Sequence, residues 1–117
     1  MRIKFITGLF FLLPFLGFSQ GEFNKWYFGY FAGINFNTTP PSTLPASAMN
    51  TIHASVSVAD SLGNLLFYSQ GLSVYNRNHQ IMPNGNGLLG DQNVQGVFSV
   101  KKPGENNLYY LFTINNT

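Results

Sequence analysis

The sequence carries two similar apolar units whose matching positions lie 42 or 43 residues apart, as Val58 and Val100 or Leu65 and Leu108 illustrate. Each unit consists of a short segment of valine and serine, a turn that contains glycine, and a second apolar segment. Alternation with a period of two is typical of a half-buried β-strand, and four-stranded propeller blades repeat at roughly 40 to 50 residues. We therefore predict an all-β fold of antiparallel four-stranded blades, the beginning of an incomplete β-propeller, with a β-sandwich as the alternative.

The repeat divides the chain into four regions. We predict a signal peptide at 1–19, one or two strands and a proline-rich surface loop at 20–52, a first blade-like repeat at 53–90 and the truncated start of a second at 91–117. The glycine-rich segment 83–90 is predicted to form a loop with tight turns, because glycine and asparagine tolerate positive φ. No segment has the pattern of an amphipathic helix.

The first residues have the three parts of a secretory signal. Arg2 and Lys4 form a basic start, about 14 uncharged residues follow, and small residues lie before the predicted cut after Ser19, with a cut after Gln20 as the alternative. A membrane-spanning helix needs roughly 20 apolar residues, and this run is shorter and contains Pro14. We therefore predict a mature protein that is secreted or on the cell surface and does not span a membrane.

The charge balance of the mature chain argues against nucleic acid as a partner. The six basic residues of the full sequence include Arg2 and Lys4, so the mature chain keeps four, against four acidic residues. Binding to nucleic acid needs a basic face that displaces counterions from phosphates. The sequence also has no cysteine, so the exported fold must be stable without disulfides.

Several longer blocks resemble the N-terminal region of large surface proteins of the Bacteroidota. These blocks are residues 24–29, 32–37, 63–68, 76–90, 102–104 and 109–113. The resemblance implies a β-propeller here, downstream sandwich domains of the PKD type, and a gliding motility-associated C-terminal domain read by the type IX secretion system. The chain departs from this pattern at Gln70, where relatives more often have an acid. We accordingly expect the 117 residues to be the front of a longer protein.

The titratable residues do not predict catalysis. Four acids are scattered over the chain, and zinc or nucleophilic chemistry needs more partners than His53 and His79 provide. We predict no catalytic residues, no cofactor and no metal site. Asp60 is predicted to cap its own turn rather than to bind calcium. Asp60, Ser61 and Leu62 also match the short O-glycosylation acceptor pattern of Bacteroidota, which makes Ser61 a candidate modification site.

The aromatic residues have two possible roles. Sugar sites use flat rings and amides, but packing between blades uses the same residues. The aromatic residues considered are Trp26, Tyr27, Tyr30, Tyr68, Tyr75, Tyr109 and Tyr110. Tyr30, Tyr75 and Arg77 lie near glycine or asparagine turns, and we predict these three as ligand contacts.

These observations favour a non-enzymatic binding or adhesion module whose partner is a glycan or a surface protein. One alternative is a propeller enzyme that acts on polysaccharide with catalytic residues outside this chain, because propeller sites are built from many blades. A structural spacer is the other. We also expect the fragment alone to aggregate or to stay partly unfolded, because its last strand presents an unpaired apolar edge.

Overall fold

The fold is built from β-strands joined by turns and loops. The computed structural model describes residues 21–115, in which nine strands form three antiparallel sheets and a 3-10 turn at Gly21–Phe23 is the one helical element. The predicted all-β fold class is therefore confirmed, whereas the assignment of the sheets to propeller blades stays a prediction. The predicted signal peptide at 1–19 and its cut after Ser19 or Gln20 lie outside the described residues. Between residues 21 and 115, no helix is long and apolar enough to cross a membrane.

Sheet 1 contains β1 (Lys25–Phe28), β2 (Ala32–Asn35) and β3 (Ser42–Thr43) in that order. Tyr27 pairs with Gly33 across the sheet, and both are buried. Trp26 and Phe28 lie on the opposite face, because side chains alternate along a strand. A Cβ atom at Gly33 would lie 2.7 Å from two ring atoms of Tyr27. Only glycine at this position lets β2 lie so close to the tyrosine ring.

Sheet 2 is an antiparallel meander of β4 (Val56–Ala59), β5 (Leu65–Ser69), β6 (Ser73–Asn76) and β7 (Ile81–Asn86). The predicted loop at 83–90 is wrong for residues 83–86, which continue β7, and Asn86 pairs with Ser73 of β6. Asn84 has a φ of 58°, and the register between β6 and β7 shifts. The positive φ expected of a turn is therefore accommodated inside the strand as an irregularity of the bulge type.

Sheet 3 contains β8 (Val97–Lys101) and β9 (Tyr109–Thr113). Its pairing repeats that of β4 with β5 at the offsets seen in the sequence. Val58 pairs with Phe67 in sheet 2, and Val100, 42 positions later, pairs with Tyr110, 43 positions after Phe67. The two neighbouring pairs correspond in the same way. The sequence repeat is therefore also a repeat of hydrogen-bond register.

Sheet 2 lies between the other two sheets. The Tyr27 ring of sheet 1 packs at 5.0 Å from Tyr68, and its backbone N–H donates to Ser57 Oγ at 2.8 Å. Phe67, on the opposite face of sheet 2, has its ring 5.4 Å from Tyr109 of sheet 3. The core between sheets 1 and 2 is formed by Tyr27, Met49, Leu65 and Tyr68.

The second half of the proline-rich region is not the surface loop that we predict from its composition. Ser47 and Met49 are buried. The Phe31 N–H donates to the Met49 carbonyl, the Ser47 N–H donates to the Phe31 carbonyl, and the Ala48 N–H donates to Tyr68 Oη at 2.9 Å. Because the β1–β2 connection and a core tyrosine satisfy its backbone groups, this segment can enter the interior.

The connection before β8 is fastened to the segment before β4. The Gln92 carbonyl accepts hydrogen bonds from the N–H groups of His53 and Ala54, at 3.2 and 3.3 Å. Thr51 Oγ1 donates to the same carbonyl at 3.3 Å. We call this arrangement the Gln92 clip, and it joins sheets 2 and 3 through the backbone.

Candidate functional site

A groove of about 680 Å³ runs along β1, β4 and β8, the first strand of each sheet. We call it the first-strand groove. Its walls include the rings of Trp26, Phe36, Phe98 and Tyr109, and also Val58 of β4. Trp26 is 52% exposed and Phe98 is 61% exposed. Large aromatic side chains in a concave, open site are typical of ligand pockets.

The alternation of sheet 1 explains the orientation of the tryptophan. Because Tyr27 packs into the core, its neighbour Trp26 lies on the face that borders the groove. The indole N–H of Trp26 donates to the Phe23 carbonyl at 2.7 Å, and its ring lies 5.2 Å from the Phe36 ring. The indole is therefore held in place while most of its surface stays accessible.

Two of the hydroxyl groups in the groove, those of Ser57 and Ser99, are already engaged by the fold. Ser57 Oγ accepts from the Tyr27 N–H and donates to the Tyr27 carbonyl at 3.4 Å. Ser99 Oγ donates to the Tyr110 carbonyl at 3.1 Å. The surface left for a ligand is consequently mostly aromatic and aliphatic.

One ion pair lies at the groove. Lys101 Nζ of β8 is 3.7 Å from Glu22 Oε1 of the 3-10 turn. Both side chains are partly exposed, and such pairs contribute little to stability. The pair nevertheless places two opposite charges beside the aromatic rings, where a ligand with polar groups can contact them.

A second groove, of about 580 Å³, lies between sheets 2 and 3. Its walls include Phe67, Val74 and Met82 from sheet 2 and Leu111 from sheet 3, and Arg77 lies at its edge. Phe67 already packs against sheet 3, so this groove is the partly filled boundary between two packed sheets.

The structure places the three predicted contact residues in separate parts of the fold. Tyr30 lies between β1 and β2, is 66% exposed and forms a bridge with Asn50. Tyr75 is half-buried and packs against the core, with its ring stacked 5.1 Å from Tyr68. Arg77 is exposed in the turn after β6 and borders the second groove. The three do not form one site, and ligand contact by each stays a prediction.

Sequence reasoning missed most residues of the first-strand groove, among them Phe36 and Phe98. One signal could have found Phe98, because it takes the place of Val56 at the repeat offset and puts an aromatic ring where the first unit has an aliphatic side chain. Phe36 follows β2, and only the folded sheet brings it beside Trp26.

Asp60 caps its turn, as predicted. Its carboxylate accepts hydrogen bonds from the backbone N–H groups of Asn64 and Leu62 at 2.8 and 2.9 Å, and from Asn64 Nδ2 at 3.0 Å. The backbone and side-chain hydrogen bonds from Asn64 lower the pKa of the Asp60 carboxyl group. Ser61 is exposed beside it, so its hydroxyl is accessible to a modifying enzyme.

Tyr68 is the most connected side chain of the core. It is fully buried, its hydroxyl accepts from the Ala48 N–H, and it lies 3.0 Å from His79 Nδ1. His79 also packs against Tyr27, with ring centroids 5.5 Å apart. Burial raises the pKa of Tyr68 and of Tyr27 above the ordinary value of 10.0.

Among residues 21–115, no three residues of the types His, Cys, Asp and Glu come together as a metal-binding group. Comparison of the chain with protein-family models, with curated proteins and with solved structures gave no match. The candidate site is therefore argued from its own geometry.

Proposed function

We propose that this chain is the opening part of an exported β-propeller that acts as a non-enzymatic binding or adhesion module, with the first-strand groove as its ligand site. The observation that carries the proposal is the groove itself, a concave surface of about 680 Å³ lined by accessible aromatic rings. The partner is a glycan or a surface protein. The resemblance to surface proteins of the Bacteroidota supports the same class of function.

The arrangement of the sheets supports the propeller architecture. The first strands β1 and β4 pack together, as do β4 and β8, so successive sheets place their first strands side by side. Each sheet is an antiparallel array in which these strands lie at one edge. A radial array of this kind presents its first strands to a central channel, where propellers carry their sites.

The lining of the groove defines the ligand chemistry. Because Ser57 and Ser99 are engaged with the backbone, binding depends on apolar contact with Trp26, Phe36 and Phe98. A sugar can stack its C–H face on such rings, and a surface protein can insert apolar or aromatic side chains. Glu22 and Lys101 add one charge of each sign for the polar edge of either ligand.

The experiment is a binding measurement with the natural full-length protein on a glycan array and on immobilised surface proteins of neighbouring cells. We expect saturable binding that Trp26→Ala weakens by at least about tenfold, because aromatic anchors dominate binding energy. Leu62→Ala is the matched control, since Leu62 is an exposed apolar residue in the β4–β5 turn.

Equal binding by wild type and Trp26→Ala would show that the first-strand groove is not the ligand site. Time-dependent release of sugar from polysaccharide would replace the binding module with the propeller enzyme. The absence of both binding and sugar release would favour the third alternative, a structural spacer.

A further inference from the structure

The second groove, between sheets 2 and 3, joins an apolar wall to a positive charge. Of the described residues that line it, Arg77 is the one that is charged, and the other polar side chains are those of Asn107 and Tyr109. Met82 is 37% exposed and Leu108 is 47% exposed, so the groove opens to solvent. A concave site of about 580 Å³ with an apolar wall and few polar groups has the size and composition of a small-molecule pocket.

The guanidinium group of Arg77 is available to a ligand. Arg77 is exposed in the turn between β6 and β7, and neither ion pair found between residues 21 and 115 includes it. The charge of Arg77 acts on the carboxylate of Asp60, but that carboxylate accepts hydrogen bonds from the backbone N–H groups of Leu62 and Asn64 in its own turn. The guanidinium fork can therefore bind a carboxylate from outside through two parallel hydrogen bonds.

The charge and the wall together determine the class of ligand. The positive charge favours an anion, and the side chains of Phe67, Val74 and Leu111 favour an apolar body. A sugar would bring several hydroxyl groups against this wall, and a hydroxyl group buried without a hydrogen-bond partner costs free energy. An aliphatic chain has no such groups, so burying it against the same side chains is favourable.

We propose that the second groove binds a small amphiphilic carboxylate, a fatty acid anion, with its carboxylate on Arg77 and its aliphatic chain along Phe67, Val74 and Leu111. The amide group of Asn107 provides a further donor for the carboxylate. This site is separate from the first-strand groove and does not depend on the function proposed for that groove.

The test is equilibrium dialysis of the natural full-length protein against radiolabelled octanoate and decanoate. Decanoate should bind about 4- to 15-fold more tightly than octanoate, because its two additional methylene groups become half to fully buried. Arg77→Gln should weaken decanoate binding by about 10- to 150-fold, as expected for the loss of hydrogen bonds to a charged group. Decan-1-ol has the same chain without the charge, so it should bind more weakly than decanoate and equally to wild type and Arg77→Gln.

Two variants serve as controls. Lys25→Gln removes one positive charge from β1, at a position that lines neither groove. Trp26→Ala changes the first-strand groove alone. Both should leave the affinity for decanoate within about twofold of the wild-type value, as for most substitutions away from a binding site.

Several outcomes would overturn the proposal. Equal weakening by Arg77→Gln and Lys25→Gln would indicate an effect of net charge, and weakening by Trp26→Ala would place the ligand in the first-strand groove. Decan-1-ol binding as tightly as decanoate would show that Arg77 does not recognise the carboxylate. Tighter binding of glucuronate than of decanoate would indicate an acidic sugar site, and the absence of saturable decanoate binding would rule out the site itself.

This result can be separated from that of the proposed function. A full-length protein that binds decanoate but neither glycan nor surface protein would support the second groove and contradict the binding module. Binding of a glycan or a surface protein without binding of decanoate would do the opposite.

Discussion

Removal of the Tyr68 hydroxyl tests whether the loop before β4 is held by one core residue. In Tyr68→Phe the ring keeps its packing against Tyr75 and Tyr27, at 5.1 and 5.0 Å. Only the hydrogen bonds to Ala48 and His79 are lost. Each neutral hydrogen bond contributes about 0.5 to 1.5 kcal/mol, so the loss is about 1 to 3 kcal/mol. This corresponds to roughly 5- to 150-fold in an opening equilibrium.

The assay is hydrogen–deuterium exchange of individual amides in the natural full-length protein. The Ala48 amide donates directly to the lost hydroxyl, so its exchange should become faster by that factor. The control is Tyr110→Phe, because the Tyr110 ring is 47% exposed and its hydroxyl has no hydrogen-bond partner between residues 21 and 115. In this variant the exchange rate of the Ala48 amide should stay within about twofold of the wild-type rate, as for most surface changes. Equal exchange at Ala48 in both variants would refute the role assigned to Tyr68.

Two further predictions concern alkaline stability and modification. Burial raises the pKa of Tyr27 and Tyr68, so the folded state keeps these protons to a higher pH than the unfolded state does. The contribution of these two tyrosines to the free energy of unfolding should therefore be constant below about pH 10 and fall above it. In denaturant titrations at several pH values, Tyr68→Phe should show a smaller fall than the wild type. An equal fall in both would contradict the contribution of Tyr68. Ser61, exposed beside the turn that Asp60 caps, should carry a glycan in the native protein, and Ser61→Ala should remove that added mass; an unmodified Ser61 by mass spectrometry would end this hypothesis.

The strands that the sequence predicts well are those whose pattern and partners are both local. The alternation at Val56 and Val58 places β4, and the same signal 42 positions later places β8. Residues 83–86 are the contrasting case. Asn84 and Gly85 have the composition of a turn, but pairing of the segment with β6 decides its structure. The turn preference of Asn84 and Gly85 is overridden there by pairing with the neighbouring strand β6.

The candidate site was only partly predictable for the same reason. Trp26 could be recognised as an aromatic residue near a glycine, but the groove requires β1, β4 and β8 to lie side by side. Ser47 and Met49 were predicted at the surface because their partners, Phe31 and Tyr68, are distant in the sequence. Composition describes the preference of a segment in isolation. The burial of these positions instead depends on contacts with residues that are distant in the sequence.

The Gln92 clip has a mechanical consequence when the chain is under tension. Tension applied beyond β9 reaches sheet 2 through the short connection that contains Gln92, and the three hydrogen bonds from Thr51, His53 and Ala54 to one carbonyl load together. These three hydrogen bonds therefore act together with the apolar contact of Phe67 and Tyr109 to hold sheet 3 against sheet 2. Under a steady pull, sheet 3 should detach in one step when these bonds yield.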